Sequence, residues 1–387
     1  MISYMSRRYP EVTRPIADFL SGTSVEVLLR SYVPYGSGDE RRELWRDFAL
    51  TGATLFTAPA EEGGLGLSFG VSVAIAHELG RATYGGQFLA SLAAMEVLEA
   101  IDDDSPSRQK LADASLTACI DFRLPKLKEL GTSRQERPNP AWNRTRTNIL
   151  ADCYPDVALL AWPHMNDAGV SIELVTRVGN EERFSSWPGA APVFLVDVAP
   201  RSRSAKLTLE DAGDYRKRMR SSAFEEIRTR HMLRLSAFLT GLAYGAIEEA
   251  ASFSDHRFTF GNKLNRYQAL THALADLSID AQACDAAVDA TTRSIEAGTL
   301  LNHGADRVAF ACAEMSRRVT AKALHVFGAC GLLLTGSAQL RYRLAVSYAA
   351  LASIDTSVAG AWAQQLLTHP STGHIGPTEG RNSSVYR

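Results

Sequence analysis

Apolar and polar positions repeat with two different periods along this chain. Every third or fourth position is apolar up to about residue 115 and again from about residue 213, which is the spacing of amphipathic helices. Between these parts, short β-branched runs are separated by Gly, Pro, Asn and Asp, a pattern typical of strands joined by turns. These runs occupy residues 157–162, 170–175 and 193–198. The pattern predicts an N-terminal helical domain, a middle β domain and a C-terminal helical bundle, at residues 1–115, 116–212 and 213–387.

Individual helices can be placed within the helical parts. Asp39 to Leu50 has one apolar face, and Ser68 has the position of an N-cap for a helix that ends near Gly80. The C-terminal bundle has four long helical blocks, at residues 221–256, 264–298, 303–327 and 337–367. Two polar stretches are predicted to be irregular, a surface loop and a C-terminal tail, at residues 131–146 and 368–387.

Composition and charge limit the possible function classes. The formal net charge is -2 and the basic residues are scattered, so no nucleic-acid-binding surface is expected. No apolar run is long enough for a membrane span, and the N-terminus does not have the pattern of a signal peptide. The five cysteines are odd in number, far apart and without Cys-x-x-Cys spacing, which predicts reduced thiols rather than a disulfide framework or a metal site. We therefore expect a cytoplasmic protein that binds neither membranes nor nucleic acid.

Three stretches of the sequence stand out by their glycines and the residues around them. Arg257, Phe260 and Gly261 follow the first long bundle block, and Gln268 opens the second. An earlier loop combines a proline and two acids with Gly-Gly-Leu-Gly, and a later stretch reads Val-Phe-Gly-Ala-Cys-Gly, at residues 57–68 and 326–331. Small residues in the later stretch let another group approach the backbone closely. Each stretch alone also fits an ordinary loop or a glycine C-cap.

Taken together and in this order, the three stretches resemble the acyl-CoA dehydrogenase family. The resemblance covers nearly the whole chain and implies an α+β fold with an N-terminal helical domain, a middle β-barrel-like domain and a C-terminal four-helix bundle. It also implies FAD as the cofactor and a homodimer or homotetramer built through the bundle. The residues that it assigns to contact with the neighbouring subunit's FAD are Arg257, Phe260, Gln268, His325, Phe327, Gly328 and Gly331.

The residues on the flavin-ring side depart from the family's pattern. The family's glycine-rich loop falls near residues 118–121, which contain no glycine, and its flavin-contacting strand falls on residues 148–150. The position of the usual catalytic Glu holds Ala352, which cannot take a proton. Two substitutes match: His231, at the position of the family's alternative base, and Asp355, if a short insertion shifts the register. Each also fits a structural role, His231 as a partly buried helix residue and Asp355 as an N-cap.

Two functions from different classes follow from this resemblance. The first is an FAD-dependent oxidoreductase that carries out α,β-dehydrogenation of an acyl thioester, on CoA or a carrier protein, with a displaced base. A flavin monooxygenase of the same fold is a variant of it. The second is a non-catalytic partner subunit in a heteromer with a catalytic paralogue, because the chain keeps the motifs that serve a partner's FAD. We favour the enzyme, since His231 offers a base that is neutral near pH 7.

Overall fold

The computed structural model describes the helical parts of the chain almost completely and the β part in pieces. The described residues are 3–31, 39–101, 107–122, 147–151, 156–163, 169–176, 194–198, 215–299, 304–333 and 335–352. The predicted loop at 131–146 and the tail at 368–387 lie outside these ranges, as does the end of the last helical block.

The N-terminal part is helical, as predicted. Its described helices are α1 (Tyr4–Arg8), α2 (Pro10–Gly22), α3 (Val25–Ser31), α4 (Asp39–Ala49), α5 (Phe69–Arg81), α6 (Gln87–Ala100) and α7 (Ser107–Ala112). The two helices placed from the sequence are confirmed as α4 and α5. The apolar face of α4 buries Phe48 among the rings of Phe19, Tyr84 and Phe88, whose centroids lie 5.8–6.0 Å away. This aromatic cluster joins α2, α4 and α6.

The middle part contains strands, and their order is not the order of the sequence. They are β1 (Ala118–Phe122), β2 (Thr147–Ala151), β3 (Val157–Pro163), β4 (Gly169–Thr176), β5 (Phe194–Val198) and β6 (Tyr215–Arg220). One sheet has the order β1-β3-β4-β6, and β2 pairs with β5 in a second sheet. The three runs identified in the sequence are confirmed as β3, β4 and β5.

β6 differs from the sequence-based expectation that helix begins near residue 213. It pairs antiparallel with β4, and Arg216 lies opposite Glu173 in the register. Its sequence, Tyr-Arg-Lys-Arg-Met-Arg, lacks the apolar alternation that identifies a strand. Pairing with β4 decides its conformation, and this pairing cannot be read from the segment itself.

The described residues of the C-terminal part form a bundle of long helices. These are α8 (Ser221–His256), α9 (Gln268–Glu296), α10 (Gly304–Val326) and α11 (Ser337–Ala352), which confirms the four predicted blocks as far as the description reaches. α8 is the central helix, because residues 231–247 are buried on every side. α5 crosses it at glycine on both helices: a Cβ at Gly80 would lie 2.1 Å from the Phe238 carbonyl oxygen, and one at Gly241 would lie 2.0 Å from that of His77.

The N-terminus of α5 is capped from another domain. Ser68 has the predicted N-cap position, but its hydroxyl makes no capping hydrogen bond. Instead, the Gly70 N–H donates to Glu296 Oε1, at the end of α9, at 2.9 Å. The same carboxylate accepts hydrogen bonds from Arg8 at 2.5 Å and from the Tyr9 hydroxyl at 3.2 Å. A negative charge at a helix N-terminus is favourable. The Glu296 carboxylate therefore stabilises the contact between the N-terminal helices and the bundle.

Within the part of the chain that the structure describes, the helices are too short or too polar to cross a bilayer. The same residues include no group of three or more His, Cys, Asp or Glu side chains that could hold a metal ion.

Candidate functional site

The chain reverses between α8 and α9 through a β-hairpin with a two-residue turn. Strands β7 (Phe258–Thr259) and β8 (Asn262–Lys263) pair antiparallel, and the turn residues Phe260 and Gly261 have φ of 50° and 81°. Positive φ at both central residues is the property of a type I′ turn, which strongly prefers Asn or Asp followed by Gly. Phe260 is the unusual member, because a Cβ in this conformation costs about 1–2 kcal/mol. The sequence predicts a helix–helix connection here, and the structure shows that its form is a strained hairpin.

The hairpin holds two predicted cofactor-binding side chains out to solvent. Phe260 is 93% exposed. The Arg257 guanidinium is exposed and makes no hydrogen bond or ion pair with the described residues. Below them, the Asp255 carboxylate accepts hydrogen bonds from Lys263 Nζ at 3.1 Å and from Asn265 Nδ2 at 2.9 Å. An anchored hairpin with an exposed guanidinium and an exposed ring is suited to bind a ligand from outside the chain.

The turn between α10 and α11 lies at the same end of the bundle. Phe327 packs against Phe253, in the last turns of α8, with ring centroids 4.6 Å apart. Gly328 has a φ of 57° and open space where a Cβ would be. Gly331 is required by packing, because a Cβ there would lie 2.9 Å from the Leu324 carbonyl oxygen. Gly328 therefore leaves backbone accessible, whereas Phe327 and Gly331 shape the turn from inside.

The two remaining predicted cofactor-binding residues are exposed at this end as well, Gln268 in the first turn of α9 and His325 in the last turn of α10. The structure thus gathers the whole predicted set at one end of the bundle. It also adds Phe258 and Leu332, which are 61% and 69% exposed. Sequence reasoning misses them, because apolar residues beside a helix end are ordinarily expected to be buried.

His231, the first predicted base, is enclosed near the start of α8. Its side chain is only 7% exposed, and its ring lies 5.2 Å from that of Phe122. Its Nδ1 has no hydrogen-bond partner among the described residues, and the ring has a backbone hydrogen bond to Leu89. Burial, with a smaller contribution from the charge of Arg234, lowers the pKa of His231 from 6.5 to about 4. The imidazole is therefore neutral at pH 7, but it is a weak base and is shielded from solvent.

The arginines near His231 are paired with carboxylates. Arg234 is fully buried and forms two hydrogen bonds to Glu96 of α6, at 2.9 and 2.5 Å. Arg228 binds Asp306 of α10 in the same bidentate way, at 2.6 and 2.7 Å. Bidentate pairs of this kind fix geometry strongly, so these residues hold α8 against α6 and α10.

The other positions singled out on the flavin-ring side are only partly described. Ala352 is buried in the last described turn of α11, and Asp355 lies outside the described residues. Residues 118–121, where the resemblance puts a loop, belong to strand β1, because they pair in parallel with β3. Residues 148–150 lie in strand β2, as the resemblance implies.

The sequence of the bundle matches a known family. Residues 227–352 match the model described as the acyl-CoA dehydrogenase C-terminal domain. The C-terminal part of this chain is thus similar in sequence to the C-terminal domain of acyl-CoA dehydrogenases. No curated protein matches it.

Solved structures of acyl-CoA dehydrogenases have the same fold. A variant of the steroid ACAD Tcur3481-Tcur3483 is 16% identical with a TM-score of 0.72, over 94% of this chain and 99% of that one. Glutaryl-CoA dehydrogenase from Mycobacterium smegmatis, in complex with FADH2, is 14% identical with a TM-score of 0.68, over 92% and 95%. The ChsE4-ChsE5 complex from Mycobacterium tuberculosis is 17% identical with a TM-score of 0.65, over 92% and 97%. The predicted α+β acyl-CoA dehydrogenase fold is confirmed.

Proposed function

We propose that this chain is a subunit of a flavin-dependent acyl-thioester dehydrogenase, in which it binds the nucleotide end of an FAD shared with a neighbouring subunit. The neighbouring subunit holds the flavin ring and supplies the catalytic base. One observation carries this proposal: Arg257 and Phe260 extend into solvent at one end of α8, whereas His231 is enclosed near the other end.

The exposed end of the bundle suits the chemistry of the nucleotide half of FAD. The free guanidinium of Arg257 can donate two parallel hydrogen bonds to a pyrophosphate. The exposed ring of Phe260 offers a face on which adenine can stack. The open backbone at Gly328 permits close approach. The bound flavin would supply the hydride acceptor of the reaction, and these three residues would fix the position of its other end.

One FAD cannot contact both His231 and Arg257 of the same chain. His231 and Arg257 are 26 residues apart, and at 1.5 Å per residue the helix between them spans about 39 Å. This span exceeds the length of an extended dinucleotide. An FAD held by Arg257 therefore has its flavin ring far from His231 of the same chain, and a second subunit must complete the site.

We infer that this second subunit is a catalytic paralogue. The usual base position holds Ala352, and His231, with a pKa of about 4, is poorly matched to proton abstraction at neutral pH. Two of the similar structures are named for two components, Tcur3481-Tcur3483 and the ChsE4-ChsE5 complex. Exposed Phe258, Leu332 and Leu333 give this chain apolar surface beside the hairpin for such a partner.

The test is to purify the chain in two ways and to measure bound flavin by its visible absorbance. Produced alone, the chain should be colourless. Isolated from its native cells through an affinity tag, it should bring down a second acyl-CoA dehydrogenase-like chain in equal amount, together with flavin. One FAD per chain in the protein produced alone would overturn the proposal.

A self-sufficient homomeric dehydrogenase is the second candidate. One observation favours it. The His231 ring is neutral, and its Nδ1 has no partner among the described residues, so this nitrogen could accept a proton from a substrate. In that case the protein produced alone would be yellow and form a homodimer or homotetramer. An acyl-CoA would reduce its flavin, and His231→Asn would abolish this reduction without releasing FAD.

A further inference from the structure

Two cysteines on adjacent bundle helices form a thiol pair. Cys284 lies on α9 and Cys312 on α10, and their side chains are hydrogen-bonded to each other. Cys312 is fully buried, and its sulfur accepts a hydrogen bond from the Thr240 hydroxyl at 3.6 Å. Cys284 packs at the edge of the core and is only half-buried. Cys284 is therefore the more accessible residue of the pair.

The environments of the two sulfurs shift their pKa values in opposite directions. The hydrogen bond from Cys312 lowers the pKa of Cys284, against an opposing effect of burial, and Arg318 acts in the same direction as the hydrogen bond. The hydrogen bond and complete burial raise the pKa of Cys312 well above its usual value. Because the thiolate is the nucleophile, Cys284 is the sulfur that reacts first. Cys312 is held in contact with it, ready to react second.

We propose that Cys284 and Cys312 are a redox-active dithiol, which closes a disulfide between α9 and α10 on reaction with a small-molecule disulfide. The Cys284 thiolate attacks one sulfur of that molecule, forms a mixed disulfide and releases a thiolate. The released thiolate takes the proton of Cys312. The Cys312 sulfur then attacks that of Cys284 and releases the second small thiolate, which takes up from solvent the proton that Cys284 lost. The protein loses two electrons and two protons, and the small disulfide gains them.

The bond would connect the two helices that carry the exposed end of the bundle. α9 begins at Gln268 beside the hairpin, and α10 ends at Val326 beside the second turn. A cross-link between them would fix their relative position without involving any residue that faces the proposed FAD. The site is thus separate from the proposed flavin function, and either can fail without the other.

Glutathione disulfide is a suitable probe for this chemistry. The folded protein is incubated with it, then denatured, alkylated and mapped by mass spectrometry of its peptides. In the parental protein, Cys284 should be linked to Cys312, so both of these thiols become unavailable to alkylation. Exposed Cys330 should carry glutathione in every sample and so report that the oxidant is active.

Two serine variants separate the roles of the sulfurs. Cys312→Ser should keep glutathione attached at Cys284, because nothing displaces it. Cys284→Ser should leave Cys312 reduced, because its sulfur is buried. Circular dichroism checks that both variants fold, and if either does not, the parental map decides alone. Modification of Cys330 while Cys284 and Cys312 both remain free in the parental protein would overturn the proposal, as would oxidation of Cys312 in folded Cys284→Ser.

Discussion

His231 lies ten residues after the start of α8 and Arg257 directly after its end, the first enclosed against Phe122 and the second exposed. The helix between them spans about 39 Å, so no dinucleotide reaches both. The residues suited to bind the nucleotide half of FAD therefore hold a cofactor whose flavin ring lies far from His231 of the same chain. A second subunit is therefore needed in a homomer as well as in a heteromer. Ala352 at the usual base position and the lowered pKa of His231 shift our interpretation from a self-sufficient enzyme, favoured by sequence alone, to a subunit that completes a partner's site.

The strained conformation of Phe260 predicts that a substitution there can stabilise the fold and at the same time weaken FAD binding. Phe260→Asn creates an Asn-Gly pair, the preferred type I′ turn sequence, and sacrifices no buried surface because Phe260 is 93% exposed. The free energy of unfolding should rise by about 1 kcal/mol, measured by urea denaturation. Flavin retention in the isolated complex should fall, because the stacking face is lost.

Gly261→Ala is the matched control for this prediction. It adds a Cβ at the neighbouring residue, whose φ is 81°, and should destabilise the chain by about 1 kcal/mol. If Phe260→Asn also destabilises the protein, or if it leaves flavin retention unchanged, the strain at Phe260 has no connection with binding.

The cap that Glu296 provides predicts a loss of stability when it is removed. Glu296→Ala deprives the first turn of α5 and Arg8 of their acceptor and should cost about 2 kcal/mol. Glu314→Ala removes an exposed carboxylate paired with Arg317 and should cost about 0.5 kcal/mol or less. Equal effects in the two variants would show that the α5 cap contributes nothing.

The contribution of Glu296 also depends on pH. Burial raises the pKa of its carboxyl, but hydrogen bonds from Gly70 and Ser68 and the charge of Arg8 outweigh this and lower it overall. A carboxyl with a lowered pKa in the folded state adds stability above its unfolded pKa, and this stability disappears as pH falls through the folded value. The stability difference between the parental protein and Glu296→Ala should therefore shrink in acid, as thermal unfolding at several pH values would show.

The burial of the His231 imidazole predicts how the free energy of unfolding changes with pH. Between pH 6.5 and about 4, His231 is protonated in the unfolded state but neutral in the folded state. The unfolded state binds more protons in this window, so stability falls as pH falls, by up to about 3 kcal/mol. His231→Leu should flatten the profile there. A profile that keeps its slope in His231→Leu contradicts the assigned burial.

Periodicity in the sequence predicts the helices of the bundle well, because an apolar repeat over many residues is a strong local signal. The block predicted at 221–256 coincides with α8. The three β-branched runs are likewise found as strands. The flavin-side motifs are located only by counting from other motifs, so the loop expected near 118–121 is in fact strand β1.

What the sequence does not predict depends on contacts between distant segments. Ser68 has the right residue type for an N-cap, but Glu296, more than two hundred residues later, satisfies the helix instead. The charged strand β6 is specified by its pairing with β4. His231 has the position of a base, but Phe122 and the surrounding core decide its pKa. Tertiary structure overrides local preference at each of these positions.

Flavin retention by the tagged complex carrying Arg257→Ala tests the central claim most directly. A lost hydrogen bond to a charged group costs about 1.5–3 kcal/mol, so the variant should hold FAD at least about tenfold more weakly than the parental complex. Arg317→Ala, which removes the same charge from an exposed position on α10 paired with Glu314, should retain flavin normally. Equal flavin content in Arg257→Ala and the parental complex would show that Arg257 is only a surface charge, and would contradict the shared site.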